Sequence, residues 1–385
     1  MAQELKCRVA IVGGGPAGCM CAYFLQNDCE VTIFEGKSPL ATLLATGGGR
    51  CNLAHAEYEF RELVKNYPRG EKFLYSVFSK FSTINTVDFF ESIGVPTYTQ
   101  DDLRIFPISN SAVDVRSKFL NALDKTEIVE EKVLEIKEVE KGFRLKSSKA
   151  SYHFDKVVIA IGGHAGFELA KSFGHNIIEP KPSLTGLKTR ENFLELSGVS
   201  FKNIQAKVNK NTFSGDFMFT HTGVTGPLIY QISSVMAREN FPYCIYLDFI
   251  GEIDFQKVLN ENSQKSIKNL IADFVPKSFA EFILEHLNID ANTKCHQIDG
   301  ATRDKILQKL RGFQVTAESP RPDGEVVTSG GVDLKEINSK TMQSKLVDSL
   351  YFCGEVLDID GFCGGFNLQN CWSTGFVAAE GVLQS

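Results

Sequence analysis

Val9-Ala10-Ile11-Val12-Gly13-Gly14-Gly15-Pro16-Ala17-Gly18 reads as a buried strand, a tight glycine turn and the first residues of a helix. A second apolar run, Val31-Thr32-Ile33-Phe34, follows and ends on Glu35. In a strand–turn–helix–strand unit of this kind each glycine has a separate task. Gly13 permits the turn, Gly15 lets backbone N–H groups approach a pyrophosphate, and Gly18 lets the helix pack closely on the strand. The helix N-terminus adds partial positive charge where phosphates would sit. A carboxylate at Glu35 can accept hydrogen bonds from the ribose hydroxyls of an adenosine. The alternative, a purely structural turn, explains the glycines but not the acidic residue at the end of the second strand.

The 385-residue length is enough for two or three domains, and a hydrophobic content of 43% is that of an ordinary globular protein. A net charge of -6 gives no reason to expect nucleic acid or an anionic membrane as partner. No apolar run reaches the ~18 residues that a membrane span needs. The first strand runs straight into the glycine turn with no signal-like apolar region before it, so a cytoplasmic location is expected. The 10 cysteines include no Cys-x-x-Cys pair. They are therefore expected to be buried hydrophobes, not metal ligands or a disulfide framework.

Beyond the first unit, residues 36–55 read as a glycine-rich loop, 58–96 as helical, and Leu103-Arg104-Ile105-Phe106 as a strand. A helix is expected from Ser111 to Leu123. Strands are expected over 128–136, 142–146 and 152–154, followed by a buried strand from Lys156 that ends at Gly162-Gly163. After Pro180-Lys181-Pro182 the pattern changes to short alternating runs over 187–250, as in a small antiparallel barrel. Residues 251–312 are helical by periodicity, with Phe274, Phe279, Phe282, Ile283 and Leu287 as one stripe. Residues 313–333 return to strand, Ser349 to Gly354 is a last core strand, and Trp372 to Leu383 a closing helix. The expected class is α/β. A discontinuous nucleotide-binding domain (1–186 and 326–385) is interrupted by an inserted domain (187–325), which has barrel strands over 187–250 and 313–325.

Two more glycine clusters stand out. Thr46-Gly47-Gly48-Gly49-Arg50-Cys51-Asn52 carries a high entropic cost for a loop unless a backbone must approach a flat ligand. Gly354-Glu355 follows the last strand, and Gly364-Gly365-Phe366-Asn367-Leu368 opens a helix whose N-terminus can stabilise negative charge on a reduced flavin.

With GGGPAG, TGGGRCN, RIFPISNSAVDV, FTHTGVTGP and the tail from Val327 to Gly375 in this order, the chain resembles the BaiN/YhiN-type family of FAD-dependent oxidoreductases, also called aminoacetone-oxidase-like flavoproteins. The resemblance implies a two-dinucleotide-binding-type (Rossmann-like) FAD domain with an inserted β-barrel and helical subdomain. It implies FAD at Gly13, Gly15, Pro16, Ala17, Gly18, Glu35 and Gly36, with Val133 at the adenine. It implies further FAD contacts at Ala160, Gly162 and Gly354, with Glu355 at the ribityl or phosphate part. Gly47, Gly48, Gly49, Arg50, Cys51 and Asn52 fall beside the flavin ring, as do Gly364, Gly365, Phe366, Asn367 and Leu368. Two departures stand out: Ala41 and Thr42 occupy the place of a usual basic pair, and His164-Ala165-Gly166-Phe167 replaces a longer polar loop.

Hydride chemistry belongs to the flavin, so few side chains need act directly. His221 reads either as an acid/base group or as a structural turn histidine. Arg50 and Arg104 read as ligands for a carboxylate or a nicotinamide phosphate, and Arg104 equally as a salt-bridged strand residue. Cys51 and Cys363 are expected to be buried. The expected activity is oxidoreduction of a small organic substrate. It is either reduction of an activated C=C fed by transiently bound NAD(P)H or oxidation of an amine with dioxygen as acceptor. A flavin-binding RNA-modification or regulatory protein is the alternative of a different class.

Overall fold

The computed structural model describes residues 6–321 and 327–385. The chain forms two compact units, residues 1–181 with 328–385 and residues 182–327.

The first unit is built on a parallel sheet. Its strands are β1 (Arg8–Val12), β2 (Glu30–Phe34), β3 (Glu127–Val129), β4 (Lys156–Ile159) and β5 (Leu350–Phe352), in the order β5-β4-β1-β2-β3. Val9 to Val12 and Val157 to Ile159 are buried on both faces, as inner parallel strands covered by helices require. The helices that bear on the site are α1 (Pro16–Leu25), α2 (Gly163–Ser172) and α3 (Phe366–Gln384). Pro16 opens α1, where its missing N–H costs nothing and its fixed φ suits the helix. Gly375 lets α3 lie directly on α1, since a Cβ there would be 2.4 Å from the Ala17 carbonyl oxygen. Trp372, fully buried on α3, donates its indole N–H to the Leu53 carbonyl at 3.0 Å. The C-terminal helix thereby holds the segment just after the triple glycine.

Two smaller antiparallel sheets complete this unit. Ala54–His55, Arg104–Pro107 and Thr97–Thr99 form one, and Val133–Glu138, Phe143–Ser147 and Ser151–Phe154 the other. The strand expected over 128–136 is therefore two strands in different sheets, parted by Glu130-Glu131-Lys132. The expected loop at 36–55 contains a 3₁₀ segment, Ala41–Gly49, and the strand Ala54–His55. The closing helix begins at Phe366, six residues before the expected start, because the Gly365 turn leads directly into it.

The second unit is a closed antiparallel barrel of six strands with helices beside it. The strand order is 187–189, 223–225, 211–220, 200–208, 243–248 and 313–320. Phe201, Phe217, Phe219, Phe249, Phe279 and Phe313 fill one shared core. Helix Pro227–Val235 lies inside the region read as strands. Phe274 leaves the expected stripe and is 38% exposed, because it falls in the turn before Pro276, where helical phase is reset. The expected strand 313–333 also divides: Phe313–Pro320 closes the barrel, whereas Val327–Val332 belongs to a separate two-stranded sheet. Among the described residues no helix is long and apolar enough to cross a membrane.

Candidate functional site

The candidate site lies along the C-terminal edge of the parallel sheet, where open α/β sheets bind ligands. Gly13 has φ +113°, and a Cβ on it would sit 2.7 Å from the Ile161 nitrogen. A Cβ on Gly18 would be 2.0 Å from the Gly13 carbonyl oxygen. Both glycines are therefore demanded by the fold. Gly15 differs: a Cβ there meets no protein atom within 4 Å. Its glycine leaves room in front of the first turn of α1, where the leading N–H groups have no intrahelical acceptor.

Glu35 joins this turn to the end of β2. Its Oε2 accepts from the Gly14 N–H at 2.8 Å and its Oε1 from the Lys37 N–H at 2.8 Å. Each carboxylate oxygen keeps a second lone pair. Gly36 abuts Lys132, and Val133 follows directly, so Glu35, Gly36 and Val133 are brought to one place. On the other side, Ala160 and Ile161 touch the Gly13 turn. Gly354, at φ +78°, lies against Ala17, and Glu355 against Gly162. The Glu355 side chain is crowded by protein yet reaches solvent. That crowding raises its pKa above the ordinary glutamate range by desolvation.

The second and third glycine clusters meet as well. Gly47, Gly48 and Gly49 all have positive φ. Gly47 is pressed against Phe106 and Asn52, whereas Gly48 faces open space. Arg50 is held by its own loop, its Nε donating to the Gly47 carbonyl at 3.2 Å, and its guanidinium lies 4.2 Å from the centre of the Phe106 ring. Cys51 is fully buried, and burial pushes its thiol up to about 12. Asn52 is 8% exposed and its Oδ1 has no partner. Gly365, at φ +102°, packs on Ala54, where a Cβ would be 2.5 Å from the backbone carbonyl. The turn at 364–365 therefore closes directly on the strand that follows the triple glycine.

One expectation, the burial of Cys363, needs correction, and the other side chains are placed as follows. Asn367 has its amide engaged with Gly361, accepting from the N–H at 2.8 Å and donating to the carbonyl at 2.9 Å. Only its backbone remains for a ligand. Arg104 is paired with Asp102, its Nε donating at 2.7 Å. Cys363 is exposed, not buried, because the turn before Gly364 carries it outward. Phe366 is buried, its carbonyl accepting from the Tyr67 hydroxyl at 2.6 Å, and Leu368 packs against the core, so these two also offer only backbone. His221 is an exposed residue between strands 211–220 and 223–225 of the second unit, and the site assembled here is drawn from the first unit.

His55 escaped the sequence reading. Its Nδ1 lies 3.2 Å from the Gly364 carbonyl oxygen, and its ring stacks on Phe366 at 4.6 Å. A carbonyl only accepts, so Nδ1 carries the hydrogen and Nε2 the lone pair of the neutral ring. Burial pulls its pKa below the usual histidine range, partly offset by that hydrogen bond. The signal available in sequence was only its position three residues after Asn52.

The donor set fits a dinucleotide carrying a flat ring system. There is an open glycine at a helix N-terminus, a carboxylate at the end of the second strand, and two further glycine turns. Glu35→Ala is expected to weaken FAD about 10- to 100-fold without abolishing binding, the worth of one charge-assisted hydrogen bond. Titration of the apoprotein with FAD, followed by fluorescence quenching, checks this; unchanged affinity would remove Glu35 from the ribose role.

The family described as HI0933-like protein Rossmann domain matches residues 7–381. Ribosomal RNA dihydrouridine synthase of Escherichia coli (strain K12) is 27% identical over 401 residues, covering 97% of this chain and 97% of that protein. The 3-dehydro-bile acid delta(4,6)-reductase of Clostridium scindens is 27% identical over 409 residues, covering 98% of this chain and 99% of that protein. Among solved structures, the open conformation of a flavocytochrome c3 fumarate reductase superposes with a TM-score of 0.51 at 12% identity, over 100% of this chain and 79% of that one. At that identity the likeness concerns the fold alone.

Proposed function

The chain belongs to the HI0933-like Rossmann family, and from that membership we propose that it is an FAD-dependent oxidoreductase that reduces a C=C bond conjugated to a carbonyl group. The observation that carries the cofactor assignment is the open space in front of Gly15, beside Glu35 and within one unit with the glycine turns at 47–49 and 364–365. The reaction class is supported by the names of the two relatives. A 3-dehydro-bile acid delta(4,6)-reductase and a dihydrouridine synthase both, by name, add hydrogen across a double bond conjugated to a carbonyl.

Bound flavin supplies the hydride chemistry in this reading. Gly15 and the N-terminus of α1 would hold the pyrophosphate, Glu35 the ribose, and the 47–52 loop and the first turn of α3 the ring. NAD(P)H is the proposed electron donor, approaching transiently, since only the β1–α1 turn carries the full glycine fingerprint and its acidic partner. Ribosomal RNA as substrate is the second reading, favoured by the name of the Escherichia coli relative. The net charge of -6 opposes it, because RNA affinity rests largely on basic contacts to phosphate.

The test is the visible spectrum of the flavin-loaded protein under anaerobic conditions. NADPH or NADH is expected to bleach the flavin band, and a conjugated enone to restore it. A band that persists with both nicotinamides, but bleaches with an amine and recovers in air, would turn the assignment to an oxidase. A folded protein that takes up no FAD would sink the cofactor assignment itself.

A further inference from the structure

Cys7 and Cys29 stand at the same level of the parallel sheet, one residue before β1 and one before β2. Arg8 and Glu30 are paired in register, and the Glu30 N–H donates to the Cys7 carbonyl at 3.0 Å. Neighbouring strands lie about 4.8 Å apart, so the two cysteines start from a Cα separation of about 5–6 Å. That is inside the window of ~4.4–6.8 Å that a disulfide needs. Their thiols are within hydrogen-bonding reach of each other. Cys29 is 6% exposed, whereas Cys7 is only half-buried and open to a small reagent. No short motif announces the pair, because residues 8–28, with β1, the glycine turn and α1, lie between its members.

We propose that Cys7 and Cys29 are a redox modification site, joined as a disulfide by a small-molecule disulfide oxidant, and that the bond staples β1 to β2 at the sheet edge opposite the Gly13 turn and Glu35. The surroundings give each thiol its part. Burial raises both, Cys29 to about 11. Lys156, at the start of β4 and in register with Val9, draws both back toward the thiolate, against Asp155 near Cys7 and Asp28 near Cys29. The hydrogen bond between the thiols lowers Cys7 and raises Cys29, so Cys7 attacks first and Cys29 resolves. In the balanced sequence, the Cys7 thiolate attacks one sulfur of the oxidant, whose S–S bond breaks and releases one small thiol. Cys29 then gives up its proton and attacks the Cys7 sulfur of the mixed disulfide, releasing the second small thiol. Two protein thiols lose two electrons and two protons, and the oxidant gains both. The loop so closed contains β1, the 13–15 turn and α1, so the bond restricts the unfolded chain across the whole unit. Gly13 and Glu35 follow the far ends of the same strands and keep their contacts.

The test incubates the native protein with glutathione disulfide, alkylates the remaining thiols and maps the peptides by mass spectrometry without reduction. Exposed Cys363 can also take up glutathione, so the readout is the linked peptide and not a count of lost thiols. Wild type is expected to yield a Cys7–Cys29 peptide and a melting temperature higher by about 5–10 °C, reversed by dithiothreitol. Cys29→Ser is expected to stop with one glutathione on Cys7 and to show no such rise. Native wild type that yields no Cys7–Cys29 peptide, whether or not Cys7 takes up glutathione, would overturn the proposal. So would a link that forms only in urea, or one that joins either residue to a different cysteine. A linked peptide with an unchanged melting temperature would overturn the stapling role.

Discussion

Gly15→Val is expected to yield a folded protein that purifies without flavin. A Cβ at Gly15 meets no protein atom within 4 Å, so the valine branches extend into space the fold does not use. That space lies before the leading N–H groups of α1, where a pyrophosphate would be held. Loss of about two charge-assisted hydrogen bonds costs roughly 3–6 kcal/mol, or about 100- to 10,000-fold in Kd. Far-UV circular dichroism and the melting temperature should match those of the wild-type apoprotein, while the 450 nm band is absent. Flavin retained at full stoichiometry would mean that the pyrophosphate lies elsewhere.

Gly18→Ala provides the contrast that makes this result interpretable. Its Cβ would stand 2.0 Å from the Gly13 carbonyl oxygen, so strand and helix must part. Overpacking against backbone of this kind costs about 1–3 kcal/mol or more. Its melting temperature should fall with or without FAD, whereas Gly15→Val should differ from wild type only in the cofactor.

This pair also shows which parts of the molecule a sequence exposes. Gly13, Gly15 and Gly18 act through their own lack of a side chain at fixed local spacing, so a short window of residues is enough to read them. Glu35 is equally local, being the end of the next strand. His55 is not: its partner, the Gly364 carbonyl, is 309 residues away, and only the packing of Gly365 on Ala54 brings the two together. Cys363 reads as a small buried hydrophobe, having no partner cysteine near it in sequence, and its exposure comes from the direction of one turn. Helix Pro227–Val235 was missed because Gly226-Pro227 reads as a strand-ending turn. In the structure the same pair is the cap and first residue of the helix. The Asn367 amide closes on Gly361 six residues earlier, a brace that no spacing rule announces.

Asp360→Ala is expected to destabilise the protein by about 3–5 kcal/mol, the usual cost of removing one partner from a buried ion pair. The Asp360 side chain is fully buried and that of Arg69 is 11% exposed. Arg69 donates through both Nε and Nη2 to the two carboxylate oxygens, and the two residues also form an antiparallel backbone bridge. Neighbouring contacts continue this seam. A Cβ on Gly70 would sit 2.8 Å from the Ile359 side chain, and the Tyr67 hydroxyl donates to the Phe366 carbonyl. The seam holds the segment that leads through Gly361 to the turn at 364–365, so its loss loosens the floor of the site as well as the fold. Whole domains are stable by only about 5–15 kcal/mol, so the change should be large in a urea titration monitored by Trp372 fluorescence. Asp360→Asn, which preserves shape and one acceptor, should lose less. If both variants unfolded at the wild-type midpoint, the pair would carry no net stabilisation, and the position of the 364–365 turn would depend on the packing of Gly365 against Ala54, the Asn367 brace and the contacts of His55 and Tyr67.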